Sequence, residues 1–482
     1  MRTSKFVHPY TFIIVLLFTI AGCKNYKAIT LNANTNLPKT YTGDSDTTGI
    51  VTLPIKQFFA DPYLVKLVDT AIAANPDIQM ALQRVEIAAA NLKYNRSWLL
   101  PSLEFNATAG LEKYGGYTMN GVGNFDTNLS SNIRGNQRIP TNPTPDYFVG
   151  LRSSWEVDLW GKLANQKKGA YNRFLASRSG YKLVVTAMTA EIAMLYYELL
   201  ALDYEQGVIE RNIVLQQNAV ELIEIQKLGG RATELAVQQF VAQLKRTQGL
   251  KYALDQQITE AENQLNFLTG GYAKKIDRDT SINTLKLPGI LKAGVPLQLL
   301  LNRPDIKQAE LELAAMNADI KAARAAFMPS LNITAYGGYN AFNAAVLFNP
   351  ASAVFGLIGG VTAPIFNRGR IKANYERTVA EGKQAVFNYQ KTILNGYQEV
   401  VNGLKGIDNY NNYYQLKLQE VAALRNAVSV SNDLFLVGRA SYLEVITAQR
   451  NVLDAELELA NTRKFIFLNA IGLYRSVGGG WQ

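Results

Sequence analysis

From Val386 to Phe435 an apolar residue returns every seventh position: Val386, Ile393, Val400, Ile407, Tyr414, Val421, Val428 and Phe435. Tyr397, Leu404 and Leu418 stand at the companion position. A seam of period seven sustained over this length predicts a helix in a left-handed coiled coil. It lies within residues 369–435, which contain no proline, and residues 161–227 are equally free of it. Either stretch, if straight and helical, would reach roughly 100 Å at 1.5 Å per residue. Each then meets a Gly-Arg break, "LGGRATELAVQQF" (228–240) and "LVGRASYLEVITAQR" (436–450), beyond which new helices run on from Thr233 and Tyr442. Glycine takes the left-handed cap that reverses a chain, so both breaks are predicted to be hairpin tips.

Elsewhere the period is two. Leu103, Phe105, Ala107, Ala109 and Leu111 alternate with Glu104, Asn106, Thr108 and Gly110, and Tyr147, Val149, Leu151, Trp155 and Val157 alternate with Gly150, Arg152, Ser154, Glu156 and Asp158. Leu331, Ile333, Ala335 and Tyr339 repeat the pattern, while "AVFGLIGGVTA" (353–363) is nearly all apolar. Four strands are predicted, near 102–112, 147–157, 330–340 and 353–363, with one apolar and one polar face.

These elements occur twice in the same order. "NPDIQMALQRVEIAAANLKYNRSWLLPSL" (75–103) aligns without a gap on "RPDIKQAELELAAMNADIKAARAAFMPSL" (303–331), an offset of 228. Further on the offset is 208, matching Gly161 to Gly369, Glu191 to Glu399 and Gly230-Arg231-Ala232 to Gly438-Arg439-Ala440. The chain is therefore a duplication, with first and second repeats at 61–270 and 303–482 and a linker at 271–302. The first half carries its 20 extra residues in the Gly/Asn/Pro/Thr-rich stretch 115–146, read as one long loop. Each repeat opens on a helix start, Asn75-Pro76-Asp77 with an N-cap, a first-turn proline and an acid, and Pro304-Asp305 with the last two.

Composition removes most chemistry. Of 482 residues, the only histidine is His8 and the only cysteine Cys23, which excludes His-based triads, thiol nucleophiles, disulfides and most zinc or copper sites from the rest of the chain. No carboxylate pair stands out, so neither an enzyme nor a cofactor nor a metal site is expected. The formal charge of +10 is scattered along helices with no basic run, which argues against nucleic acid.

The N-terminus, "MRTSKFVHPYTFIIVLLFTIAGCKNY", has Arg2 and Lys5, then an apolar run from Tyr10 to Ala21. That run falls short of the roughly 20 residues a bilayer-spanning helix needs, and residues 1–22 are read as an export signal. "TIAGC" resembles a bacterial lipobox, which implies cleavage before Cys23 and acylation of that cysteine, with residues 23–60 as a lipidated linker. Loss of Arg2 and Lys5 lowers the formal charge to +8.

Four strands cannot close a barrel within one chain, and an open sheet edge in a bilayer leaves backbone groups unsatisfied, so several protomers are expected to share one barrel. With strands at one end of the long helices and tips at the other, a lipid-embedded barrel continued by a helical tube is predicted.

"FFADPYLVKLVDTAIAANPDIQMAL" (58–82), "SSWEVDLWGKL" (153–163), "LLNRPDIKQAELELAAMNADIKAARAAFMPSL" (300–331), "IFNRGRIKANY" (365–375) and "VGRASYLEVITAQR" (437–450), together with "TIAGC", resemble the TolC-type outer-membrane efflux proteins, in their NodT- or OprM-like lipoprotein branch. The resemblance spans almost the whole chain. It implies an α+β membrane protein forming a homotrimer in the outer membrane, with a shared twelve-stranded β-barrel and a periplasmic α-helical barrel. It also implies a tripartite efflux pump with a periplasmic adaptor and an inner-membrane pump of the resistance-nodulation-division type. An exit duct for ABC-type protein secretion and a structural coiled-coil lipoprotein are the alternatives.

By position, the resemblance puts Leu443, Glu444, Thr447 and Arg450 at the periplasmic gate, and Gly229, Gly230, Arg231, Gly438 and Arg439 at adaptor-docking tips. Members often carry aspartate where this chain has Thr447, so Glu444 is read as the nearest carboxylate for Arg450.

Overall fold

A computed structural model describes residues 29–33, 37–38, 40–41, 55–59, 61–278, 281–283, 285, 296 and 298–481. The export segment and Cys23 lie outside the described residues. In chain order the elements are α1 (Ile55–Phe58), α2 (Pro62–Ala74), α3 (Pro76–Ser97), β1 (Glu104–Glu112), α4 (Met119–Leu129), β2 (Thr144–Val157), α5 (Lys162–Leu228) and α6 (Glu234–Leu268). They are followed by α7 (Gln298–Asn302), α8 (Pro304–Ala325), β3 (Ser330–Ala341), β4 (Ala353–Thr362), α9 (Arg370–Leu436) and α10 (Tyr442–Ser476).

The duplication is visible in the lengths. α5 and α9 each have 67 residues, α6 and α10 each have 35, and α3 and α8 each have 22. Asn75 caps α3 as its sequence predicts, accepting from the backbone N–H of Asp77 (2.8 Å) and Ile78 (3.1 Å) and donating to the Leu268 carbonyl at 2.8 Å. At the matching place in the second repeat Arg303 has no side-chain acceptor to offer. It pairs with Asp305 (2.7 Å) and Glu399 (2.7 Å) instead.

The chain divides into two compact units, one containing 88–174 and 312–385 and the other 33–87, 175–311 and 386–482, so both 67-residue helices contribute to each. The first unit holds a single four-stranded antiparallel sheet, ordered β1-β2-β3-β4. Its register sets Phe105 opposite Leu151, Ala107 opposite Val149 and Ala109 opposite Tyr147. It continues with Val149 opposite Tyr339, Trp155 opposite Ile333 and Val157 opposite Leu331, then Leu331 opposite Val361 and Ala335 opposite Leu357. Directly opposed residues share a face. The apolar positions of all four strands therefore form one continuous surface, in which Phe105, Leu111, Phe355, Leu357 and Val361 are highly exposed. The opposite face is mostly polar, with Glu104, Asn106, Asp146, Arg152, Asn332 and Asn340. The exceptions are Val354 and Ile358 of β4 and Phe148, which is buried against Tyr336 in a T-shaped contact with the Arg152 guanidinium 4.8 Å from its ring. β4, which alternates poorly in sequence, is fixed by pairing with β3; a Cβ at Gly356 would meet the Tyr336 ring and displace it.

One expectation needs correcting: the stretch 115–146 is not a single loop. It contains α4, whose N-cap Thr118 accepts from Gly121 N–H at 3.1 Å. Asn128 pins the helix to the returning chain through two 2.8 Å bonds with the backbone of Ile139. Capping and side-chain anchoring override a Gly/Asn-rich composition that disfavours helix.

In the second unit the core lies between long helices. Tyr197 stacks on Phe467 at 4.6 Å and Phe58 on Tyr474 at 4.1 Å. Tyr196 is buried with its hydroxyl donating to Asp61, 2.8 Å away. On α9 the period-seven residues Ile393, Val400, Ile407 and Val421 are buried and Val386, Tyr414, Val428 and Phe435 half-buried. α5 includes an 18-residue apolar stretch long enough to cross a membrane, but 61% of it is buried within the protein, as befits a core helix.

Candidate functional site

Both hairpin tips are built the same way from backbone alone. At the first, Gly230 (φ 73°) donates to the Lys227 carbonyl at 2.9 Å and Arg231 to that of Gln226 at 2.8 Å. At the second, Gly438 (φ 76°) donates to Phe435 at 3.1 Å and Arg439 to Leu434 at 2.8 Å. This is a Schellman cap, in which the left-handed residue is easily glycine and strained for anything else. Gly229 sits one residue earlier and has no positive φ. Arg231 and Arg439 are exposed, and neither guanidinium has a partner among the described residues. The return helices start on Thr233, which accepts from Ala236 N–H at 3.2 Å, and on Ser441. Behind the tips, Ile223, Ala236, Val237 and Phe240 of the first hairpin pack with Val445 of the second.

Leu443, Glu444, Thr447 and Arg450 all lie on the exposed side of α10, while Val445, Gln449 and Val452 are buried on the other. The structure thus brings the four gate candidates onto one helix surface. Glu444, however, does not serve Arg450. Its carboxylate accepts from Ser441 N–H at 2.6 Å and from the Ser441 hydroxyl at 3.0 Å, and these bonds hold it below the usual carboxylate range. The carboxylate beside Arg450 is Asp454, one turn further on, with Oδ2 3.9 Å from Nε. At that distance, with both groups more than half exposed, the pair is weak. Thr447 bonds its hydroxyl to the Leu443 carbonyl at 2.7 Å. Leu443 itself remains exposed.

A polar seam between α5 and α10 escaped the sequence reading. Asn461 donates to Glu205 at 2.9 Å, and Glu456 accepts from Arg425 at 2.7 Å and from Asn212 at 3.4 Å. Gln216, 1% exposed, has neither amide atom paired, and Gln449 has an unpaired buried oxygen. Burial pushes the Glu205 carboxyl up to about 7, against the opposing pull of Lys464 and Asn461 and with a small addition from Glu198. The signal was available: Val445, Val452 and Leu459 form an apolar seam on α10 in which Gln449 and Glu456 occupy the interleaved positions.

Two long helical hairpins and four strands with a lipid-compatible face, produced by duplication within one chain, define a channel-forming protein of the outer membrane. The chain belongs to the outer membrane efflux protein family, whose model matches residues 67–271 and 295–479, one segment in each repeat. It is 29% identical to the solvent efflux pump outer membrane protein SrpC of Pseudomonas putida, over 97% of this chain and 97% of that protein. It is equally 29% identical to the cation efflux system protein CusC of Escherichia coli strain K12, over 88% of each. A solved structure of CusC superposes with a TM-score of 0.82 at 26% identity, covering 94% of this chain and 99% of that one. Like these relatives, the chain is an efflux component resident in the outer membrane.

Proposed function

We propose that three copies of this chain close a single twelve-stranded barrel, continued by their helices as a periplasmic tunnel, and serve as the exit duct of a tripartite efflux pump. The observation that carries this is the sheet register. One face is apolar across all four strands, yet among the described residues β1 and β4 have no partner on their outer edges. Each backbone group left unpaired in hydrocarbon costs several kcal/mol, so the edges need those of other copies. The partners are a periplasmic adaptor, docking at Gly229, Gly230, Arg231, Gly438 and Arg439, and an inner-membrane pump of the resistance-nodulation-division type. Leu443, Glu444, Thr447 and Arg450 line the mouth, and acylated Cys23 anchors the chain to outer-membrane lipid.

Relatives at the same identity are named for solvent and for cation efflux, which fits a duct whose cargo is chosen by its pump. Native mass spectrometry of detergent-extracted protein should find three chains per particle, and mild crosslinking in cells should recover an adaptor. A stable folded monomer without a closed barrel would overturn the proposal.

A further inference from the structure

Where β1 passes into β2 and β3 into β4, the connecting segments enclose an open cup of about 710 Å³. That is within the roughly 300–1,000 Å³ typical of small-molecule sites. Carboxamides make up six of its 18 lining residues: Asn120 and Asn124 from α4, Asn136, Gln137, Asn340 and Asn349. Its charges are few: Glu112, Asp146 and Arg134. Glu112 accepts from the Tyr114 hydroxyl, and Asp146 accepts from Asn340 at 2.8 Å. Glu112 and Asp146 against Arg134, the lining's only cation, leave the cup a formal charge of about −1, which disfavours an anion.

What the cup offers a ligand is neutral hydrogen-bonding capacity. Asn120 and Asn136, exposed, and Asn124, half-buried, form no side-chain hydrogen bond among the described residues and can exchange water for a ligand, and Thr144 Oγ1 is buried without a partner. α4 is turned to suit this. Gly121, Asn124 and Asn128 are its half-buried side, while Met119, Val122 and Phe125 are exposed. An apolar ligand would strand these amides at a desolvation cost. A carboxamide offers a donor and an acceptor together, as does every hydroxyl of a sugar, and the Tyr114 ring at the rim supplies an apolar surface for sugar C–H groups.

We propose that this cup binds a neutral oligosaccharide. The same chemistry is offered by the glycan part of outer-leaflet lipopolysaccharide and by free saccharides outside the cell. That the cup faces the exterior rests on the duct proposal. Binding by purified protein does not, so the two can fail separately.

The test is saturation-transfer NMR and calorimetry on the full chain in a detergent without a sugar headgroup. The probes are short neutral gluco-, manno- and galacto-oligosaccharides, a uronic-acid oligosaccharide, and delipidated neutral O-polysaccharide from smooth lipopolysaccharide. Binding of the delipidated polysaccharide alone would identify the cell's own envelope as the source; binding of soluble neutral oligosaccharides would identify an external one. Either outcome supports the site if Asn120→Ala/Asn124→Ala weakens it about tenfold or more. Thr144→Val, which leaves α4 untouched, should also weaken binding, and Asn388→Ala, outside the cup, should not. No binding by the wild type, binding confined to the uronic-acid probe, or binding indifferent to both cup variants would overturn the proposal.

Discussion

Glu205 makes the stability of the helical hairpins depend on pH, and replacing it by glutamine should remove that dependence. Its residue is 9% exposed, one oxygen accepts from Asn461 at 2.9 Å, and the nearby ammonium of Lys464 is engaged with Glu198 at 3.3 Å. Burial therefore dominates, and the carboxyl titrates at about 7 when folded against an ordinary value of 4.5. The unfolded chain gives up this proton at lower pH than the folded one, so folding loses stability as pH rises above the unfolded value, and the loss is complete above the folded one. At about 1.4 kcal/mol per pH unit the full penalty is roughly 3 kcal/mol, most of which develops between pH 5 and pH 8.

Glu205→Gln keeps the shape and an acceptor for Asn461 but cannot ionise. Thermal unfolding followed by circular dichroism at 222 nm, in detergent at pH 5 and pH 8, should show the wild type losing more stability than the variant across that interval. The variant should be the more stable of the two at pH 8. Parallel pH profiles would mean that the carboxyl is hydrated or otherwise compensated in the folded state, and would refute the reasoning.

Gly438→Ala forces a side chain into φ 76° and should destabilise the second tip by about 1–2 kcal/mol, whereas Gly229→Ala should be nearly silent; hydrogen exchange of the tip amides distinguishes them. Leu443→Ser should raise single-channel conductance in planar bilayers if this exposed leucine closes the mouth by apolar contact, and unchanged conductance with an intact trimer would place the constriction elsewhere. Cys23→Ser should still trimerise but wash more readily from membranes, and mass spectrometry of the mature wild type should find a lipid-modified N-terminal cysteine.

Periodic and local features were legible in the chain. The period-seven residues of α9, the Asn75 cap, both Gly-Arg reversals and all four strands follow from short-range pattern, and the duplication supports each twice. α4 was missed because its stability comes from Thr118 and from Asn128 bonding Ile139, not from composition. The role of Glu444 was legible and overlooked: Ser441 and Glu444 have the Ser-x-x-Glu spacing of a capping box, which occupies the carboxylate in holding the helix start. Asp454, four residues beyond Arg450, has the spacing of a helical ion pair. The pairing of Glu205 with Asn461 could not be read locally, since 256 positions separate them and only the packing of α5 on α10 brings them together.

Equal arm lengths turn the two hairpins into a matched gauge. Both halves count 67 residues out and 35 back before and after their reversals, and close behind those reversals Ile223 and Phe240 meet Val445. A residue added to one arm would rotate everything beyond it by about 100° and lift it by about 1.5 Å, putting one tip out of step with its twin. The β1–β2 connection carries no such obligation and has absorbed the whole 20-residue difference between the halves. Growth of this chain is therefore free at that connection and quantised in the arms, where a longer tunnel would require compensating insertions in all four long helices together.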